Sequence, residues 1–343
     1  MKLIRIGVDL AKNVFQLHGV DEDEKPVFKR RLKRDQWLKA VFTHTDTDCV
    51  IGMEACAGSH HWARLLQSRG YQVVLIPPQF VKPYVKTDKT DANDAEAICE
   101  AMSRPNMRFV TVKSVEQQDV QAIHRVRSEC MSHRTAKGNQ IRGVVTEYGL
   151  VAPLRTGALR EAIPCWLEDA ENGLSPRFRT LLHGLWEDLL RLDQRVEALD
   201  ADIAVIAKTD PVAKRLQQLR GVGPLTATAL VASIGSGAQY AKGRQMAAAL
   251  GLTPKQHSSG GKERLQGISK RGDVYLRTLL IHGARTVVVN AKNKDDRLSL
   301  WVNDLAKRRH RNVAAVALAN KTARMAWAMM RSDTDYDPEY AVA

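Results

Sequence analysis

Residues 4–10 read IRIGVDL and residues 49–54 read CVIGME. Both are short apolar runs rich in β-branched residues, the pattern of a buried strand, and each delivers one carboxylate at its end, Asp9 and Glu54. An acid in that position lies at the rim of a sheet, where apolar neighbours cannot solvate it and a cation is wanted. Working outward, VFQLHGV and PVFKRRL read as two further strands and RDQWLKAVFTH as a helix. After CVIGME come a helix in HHWARLLQSRG, a strand in YQVVLIP and a helix in ANDAEAICEAM. Three consecutive strands followed by alternating helices and strands predict an α/β domain over residues 1–112, a mixed sheet flanked by helices in ribonuclease H-like order.

The last of those helices opens with Asp91 and Asp94, whose i, i+3 spacing puts both on one face. With Asp9 and Glu54 they make four hard oxygen donors from three elements. Such a set suits Mg²⁺ or Mn²⁺, and two such ions roughly 3.5–4 Å apart are a common device for phosphodiester chemistry. Taken singly, each acid has a plainer reading: a strand-end Asp often serves a turn, and Asp91 could cap its helix or favour its dipole. Asp88 stands three residues before Asp91 and could replace either member of the pair.

The chain has 343 residues, 44% of them hydrophobic, enough for two or three domains with their own cores. No apolar run approaches the ~20 residues of a membrane span, and MKLIRIGVD runs into a strand and not a signal peptide, so a cytoplasmic protein is expected. Five cysteines, Cys49, Cys56, Cys99, Cys130 and Cys165, lack metal-site or disulfide spacing and read as ordinary thiols. The formal net charge is +14, and residues 210–343 hold 22 Lys and Arg against 10 Asp and Glu. A positive field concentrated in the last third points to a polyanionic partner, nucleic acid first among them.

Residues 113–209 read as almost wholly helical, with breaks near Gly149–Pro153 and Gly173–Pro176. Leu182, Leu185, Leu189, Leu192, Val196, Leu199, Ile203 and Ile206 follow 3-4 heptad spacing, which predicts a coiled-coil seam facing either the preceding helix or a second subunit. Residues 210–343 read as a basic, mainly helical domain. Gly221-Val222-Gly223-Pro224 between two apolar helical stretches suggests a helix-hairpin-helix turn whose backbone amides meet phosphate. Further on, Ser258, Ser259, Gly260 and Gly261 form a small-residue loop with Lys262, Arg264, Lys270 and Arg271 beyond it. That loop could clamp a phosphate, or expose a serine that attacks one.

The succession VDLAKN, GMEACAGSHHW, KTDKTDANDAEAI, GVGPLTATAL and GLTPKQHSSGGKERLQGISKRGD resembles the DEDD-type insertion-sequence transposases, bacterial enzymes described as bridge-RNA-guided recombinases. The resemblance covers nearly the whole chain. It implies a RuvC-like N-terminal domain with Asp9, Glu54, Asp91 and Asp94 as metal ligands, and it makes Asp88 a bystander. It also implies a C-terminal transposase domain in which Ser259, directly before Gly260, attacks a DNA phosphate to form a phosphoserine link, with Ser258 the adjacent alternative. Element-end and target DNA, a structured guide RNA and a homo-oligomer, dimer or tetramer, are the partners it implies. Two other functions fit the residues: a metal-dependent, structure-selective nuclease of junction-resolvase type with water as nucleophile, and a non-catalytic nucleic-acid-binding scaffold.

Overall fold

A computed structural model describes residues 2–86, 90–152 and 154–338. The chain forms two compact units, Met1–Val115 with Gly237–Ala241, and Glu116–Ser236 with Lys242–Ala343.

The first unit begins with an antiparallel meander of β1 (Arg5–Leu10), β2 (Val14–Val20) and β3 (Pro26–Lys33). Helix α1 (Trp37–His44) leads to β4 (Val50–Glu54), which lies parallel to β1; α2 (Ser59–Gln67) then leads to β5 (Gln72–Ile76), parallel to β4. The short α3 (Pro78–Val81) precedes α4 (Asp91–Met102). The sheet order is β3-β2-β1-β4-β5, a mixed five-stranded sheet consistent with a DEDD nuclease-like fold. The strands fall where alternation and β-branching predicted them, whereas α3 was not anticipated from the sequence.

Register decides what each face of this sheet meets. Val8 lies beside Leu17 and Met53, and Leu10 beside Phe15, so these residues share one face. On it Phe15, Trp37 and Trp62 pack edge to face with ring centroids 5.2–5.6 Å apart. Gly7 lies beside Gly52 on the opposite face, and both sit beneath α4. A Cβ on Gly7 would stand 2.3 Å from the Ala95 carbonyl oxygen and 2.5 Å from the Cys99 nitrogen. The helix backbone rests directly on the strand, which only glycine permits.

Gly7→Ala is therefore expected to destabilise the first unit by about 3 kcal/mol, since two backbones must part. Gly52→Ala meets the Met102 sulfur at 2.7 Å instead, a flexible end that can swing away, and should cost about 1 kcal/mol. Urea unfolding of the two variants side by side checks the order.

The second unit starts with the long α5 (Val115–Thr146), then α6 (Thr156–Glu168) and α7 (Pro176–Thr209). Helices α5 and α7 run antiparallel, tied by Arg127–Asp200, Arg134–Asp193 and Lys137–Asp188. Ile141 and Val145 of α5 share a core with Leu159 and Ile163 of α6 and with Phe178, Leu182 and Leu189 of α7. Half of the predicted heptad seam, Leu182, Leu189, Val196 and Ile203, is buried within the chain; Leu185, Leu192, Leu199 and Ile206 are only partly so.

Helices α8 (Pro211–Leu216) and α9 (Pro224–Ile234) flank the glycine turn, and α10 (Gly243–Ala249) follows. A small two-stranded sheet, β6 (Pro254–Gln256) with β7 (Leu265–Ile268), then interrupts the helices. The sequence reading made this segment a loop; cross-strand pairing makes it a hairpin. Helices α11 (Val274–Asn290), α12 (Arg297–Arg308) and α13 (Arg311–Ser332) close the unit, with α13 burying a run of small side chains, Ala314, Ala315, Ala319, Ala323 and Ala326, against its neighbours. Among the described residues no helix is long and apolar enough to cross a membrane.

Candidate active site

Period-2 geometry carries the acids to one place. Asp9 is two residues beyond Gly7 and Glu54 two beyond Gly52, so both carboxylates emerge on the face that α4 covers, at the C-terminal ends of adjacent parallel strands. Helix α4 runs back over β1: near Cys99 its backbone accepts from Arg5 Nε, and Ala95 lies over Gly7. Its N-terminus therefore overhangs Asp9. That terminus starts at Thr90, whose side chain accepts from the Asn93 amide, and it carries Asp91 and Asp94 in its first turn.

The electrostatics record this convergence. The Asp9 carboxyl is pushed up to about 6, first by burial and then by the charges of Asp94, Asp91 and Glu54. The Cys56 thiol is also raised, by burial first and then by Glu54 and Asp9. A buried carboxyl that other acids make harder to ionise belongs to a donor set short of positive charge, which is the chemistry a hard divalent cation fits. Among the described residues, however, no three His, Cys, Asp or Glu side chains are already arranged to grip an ion. Asp88 lies outside the described residues.

Two side chains of α2 fasten the chain that follows α4. Nδ1 of His60, in the sequence GSHHW, accepts from the backbone N–H of Lys113, and the Arg64 guanidinium donates to the Lys113 carbonyl at 2.6 Å. Both anchor the chain leaving the first unit beside the start of α2.

In the second unit Ser259 sits at the tip of the β6–β7 hairpin. Lys262 N–H donates to the Ser259 carbonyl, and Gly260 and Gly261 both have positive φ, 57° and 76°. That is a two-residue turn of type I′, which suits the twist of the flanking strands and requires glycine-like freedom at both positions. Ser258 accepts a hydrogen bond from Gln256 Nε2 at 2.9 Å. Among the described residues the Ser259 hydroxyl makes no such bond, and it is exposed.

Lys262 and Arg264 are exposed on the same hairpin, and Lys270 and Arg271 are exposed just before α11. Gly223 caps α9 with open space around it, while Gly221 has a close-packing role: a Cβ there would stand 2.8 Å from the Gly283 carbonyl oxygen.

One constellation in the second unit escaped the sequence reading. His124 is 3% exposed; its Nε2 lies 2.9 Å from Thr228 Oγ1 and its Nδ1 2.9 Å from the Tyr275 hydroxyl. Thr228 donates its proton to the Pro224 carbonyl, so Nε2–H donates to Thr228 and Nδ1 accepts from Tyr275. Burial, then Arg127, lowers the His124 pKa to about 4. The fold thus holds this imidazole neutral.

The stability it contributes is present above the unfolded value near 6.5 and is lost as pH falls toward 4. Between pH 7 and pH 5 the loss should be about 2 kcal/mol. Chemical unfolding at both pH values, with His124→Gln as the comparison lacking this slope, checks it.

Family comparisons agree across the chain. A DEDD-type transposase model of the IS110 kind matches residues 6–150, and one described as the transposase IS116/IS110/IS902 family matches residues 213–299. A Pseudomonas aeruginosa protein described as a probable family 20 transposase is 51% identical over 339 residues, spanning 98% of this chain and 100% of its own length. The transposase for insertion sequence element IS1111A of Coxiella burnetii is 47% identical over 337 residues, 98% of this chain and 92% of that one. That for IS1328 of Yersinia enterocolitica is 39% identical over 331 residues, 96% and 97% of the two chains.

Proposed function

The chain belongs to the IS116/IS110/IS902 family of insertion-sequence transposases, enzymes that cleave and transfer DNA strands, and from that premise we propose that it works through two chemical centres. In the first, Asp9, Glu54, Asp91 and Asp94 hold Mg²⁺ or Mn²⁺, which when bound supplies positive charge against the transferring phosphoryl group. In the second, the Ser259 hydroxyl is the nucleophile. The observation that carries the reading is geometric: Asp9 and Glu54 end adjacent parallel strands on the face covered by α4, whose first turn carries Asp91 and Asp94.

Ser259 suits its role because it is exposed at a tight turn with its hydroxyl uncommitted, whereas Ser258 is engaged by Gln256. Attack by its oxygen forms a P–Oγ bond and breaks one P–O bond of the DNA backbone; the serine proton leaves and the departing deoxyribose oxygen is protonated. Lys262, Arg264, Lys270 and Arg271 offset phosphate charge nearby, and the α8–α9 turn at Gly221 and Gly223 acts as a helix-hairpin-helix contact to the DNA backbone.

The reading keeps three functional parts: a RuvC-like nuclease domain at 1–112, a helical coiled-coil region at 113–209 and a basic transposase domain at 210–343. The partly exposed row Leu192, Leu199 and Ile206 is where a second copy would complete the seam in a homo-oligomer. A structured RNA guides the enzyme to element-end and target DNA in the cytoplasm.

The test is to incubate the full chain with Mg²⁺, element-end DNA and the flanking non-coding RNA, then to run a denaturing gel. A protein–DNA adduct is expected. Cleavage without an adduct would instead favour a hydrolytic, resolvase-like nuclease.

A further inference from the structure

A cleft of about 520 Å³ opens in the first unit, lined by Asn13, Val14, Lys33, Arg34, Asp35 and Trp62. Its walls continue the elements that carry the acids. Asn13 follows Asp9 in the β1–β2 turn, and Trp62 follows Glu54 near the start of α2; the third wall is the end of β3. The cleft thus lies at the same end of the sheet as the carboxylates, on the face opposite α4.

Its charge is positive and uncommitted. The edge strand β3 and the residue after it read PVFKRRLKR, with Arg30, Arg31, Lys33 and Arg34 all exposed. Among the described residues neither Lys33 nor Arg34 is in an ion pair; Asp35 is the one acid in the lining. Lysines on an edge strand commonly guard it against pairing with another chain, which accounts for Lys33. Arg34 lies beyond the strand and is placed differently. Its backbone N–H donates to the Asn13 carbonyl at 2.9 Å, its Nη1 donates to the Lys12 carbonyl at 3.3 Å, and its guanidinium lies 5.1 Å from the Trp62 ring centroid. Carbonyls and a ring fix the cation without neutralising it. A planar cation held over an indole, beside a second cation and an amide, is a seat for a phosphate with a base stacked above it. The volume suits one nucleotide.

We propose that this cleft binds one nucleotide of the DNA strand flanking the cleavage point, with Lys33 and Arg34 on its phosphate, the Arg34 plane beneath its base and the Asn13 amide at its edge. The proposal rests on the assignment of the acids as the strand-cleaving centre, and it makes Arg34 a positioning residue: it leads the strand over the rim toward Asp9.

The test uses the full chain in EDTA, so that binding is read apart from cleavage. The probe is a fluorescein-labelled single-stranded DNA of about 20 nucleotides, with an RNA of the same sequence in parallel, titrated by anisotropy at several salt concentrations. Arg34→Ala and Lys33→Ala should each weaken DNA binding about 10-fold and reduce the salt slope by about 1. Arg34→Lys should recover the slope but not the full affinity, because the stacking plane is gone. Circular dichroism of Arg34→Ala checks folding, and Lys33→Ala, which breaks no hydrogen bond, carries the test if that variant is unfolded. Unchanged DNA affinity and slope in Lys33→Ala and in a folded Arg34→Ala, or a loss confined to the RNA, would overturn the proposal. Asp9→Asn, titrated in the same way and then given Mg²⁺ with element-end DNA and the flanking RNA, separates the two readings. If that variant still cuts when Mg²⁺ is restored, the acid-site reading fails, and the binding result for the cleft stands on its own.

Discussion

Ser259→Ala is expected to lose strand cleavage and the protein–DNA adduct together, by roughly 10⁴-fold or more, the scale on which removal of a nucleophile is felt. A serine ester would retain the phosphodiester's bond energy, so a strand held on Ser259 could be rejoined without an external energy source. A water molecule taking its place would release the strand instead. Ser258→Ala should keep most of both activities, because Ser258 is bonded to Gln256 while Ser259 stands at the turn next to Gly260. The hairpin itself should survive either change, since its shape rests on Gly260 and Gly261 and on the pairing of Pro254 with Ile268. A Ser259→Ala protein that still nicks DNA at the wild-type rate would move the nucleophile to water and the function to a hydrolytic nuclease.

Asp9→Asn is expected to reduce cleavage below detection while leaving DNA affinity within about two-fold, because it removes a candidate metal ligand and not a phosphate contact. Glu54→Gln should behave alike. The same substitution has a second, opposite effect on the metal-free protein. Asp9 titrates near 6 in the fold against 3.8 in the unfolded chain, so its protonated form is the one the fold favours. Its contribution to stability is fully present below 3.8 and is lost as pH rises through 6. At pH 8 without metal, Asp9→Asn should therefore be more stable than the wild type, by about 1–2 kcal/mol after allowing for solvent screening. Mg²⁺ should stabilise the wild type and not the variant, and that stabilisation should fade below about pH 6, where protons compete for Asp9. Thermal melts at pH 8 and pH 5, with and without Mg²⁺, measure all of this. Equal melting of the two proteins in every condition would mean that Asp9 neither repels its neighbours nor holds an ion.

The sequence by itself determined the strands of the first unit, since IRIGVDL, VFQLHGV and CVIGME announce themselves by alternation and β-branching, properties of a few adjacent residues. It also determined that Asp9 and Glu54 stand at a rim, because each closes its own apolar run, and that Asp91 and Asp94 share a helix face. Only the tertiary structure decided that Asp9 and Glu54 leave the same face of the sheet and that the first turn of α4, with Asp91 and Asp94, stands over Asp9. That depends on the parallel register of β1 with β4 and on Gly7, which carries no local sign of its role and on which the backbone of a helix far along the chain is laid. The glycines at 260 and 261 were legible as a loop, but the hairpin that displays Ser259 needs strands that pair across it. His124 gave no local signal, because Thr228 and Tyr275 lie 104 and 151 residues away. Charge behaved in the same way. The first hundred residues are nearly balanced, 15 Lys and Arg against 14 Asp and Glu, and a count along the chain hides what the sheet separates. Acids gather where α4 meets the rim and cations along the β3 edge, because strand order and helix packing, unlike composition, act between residues distant in sequence.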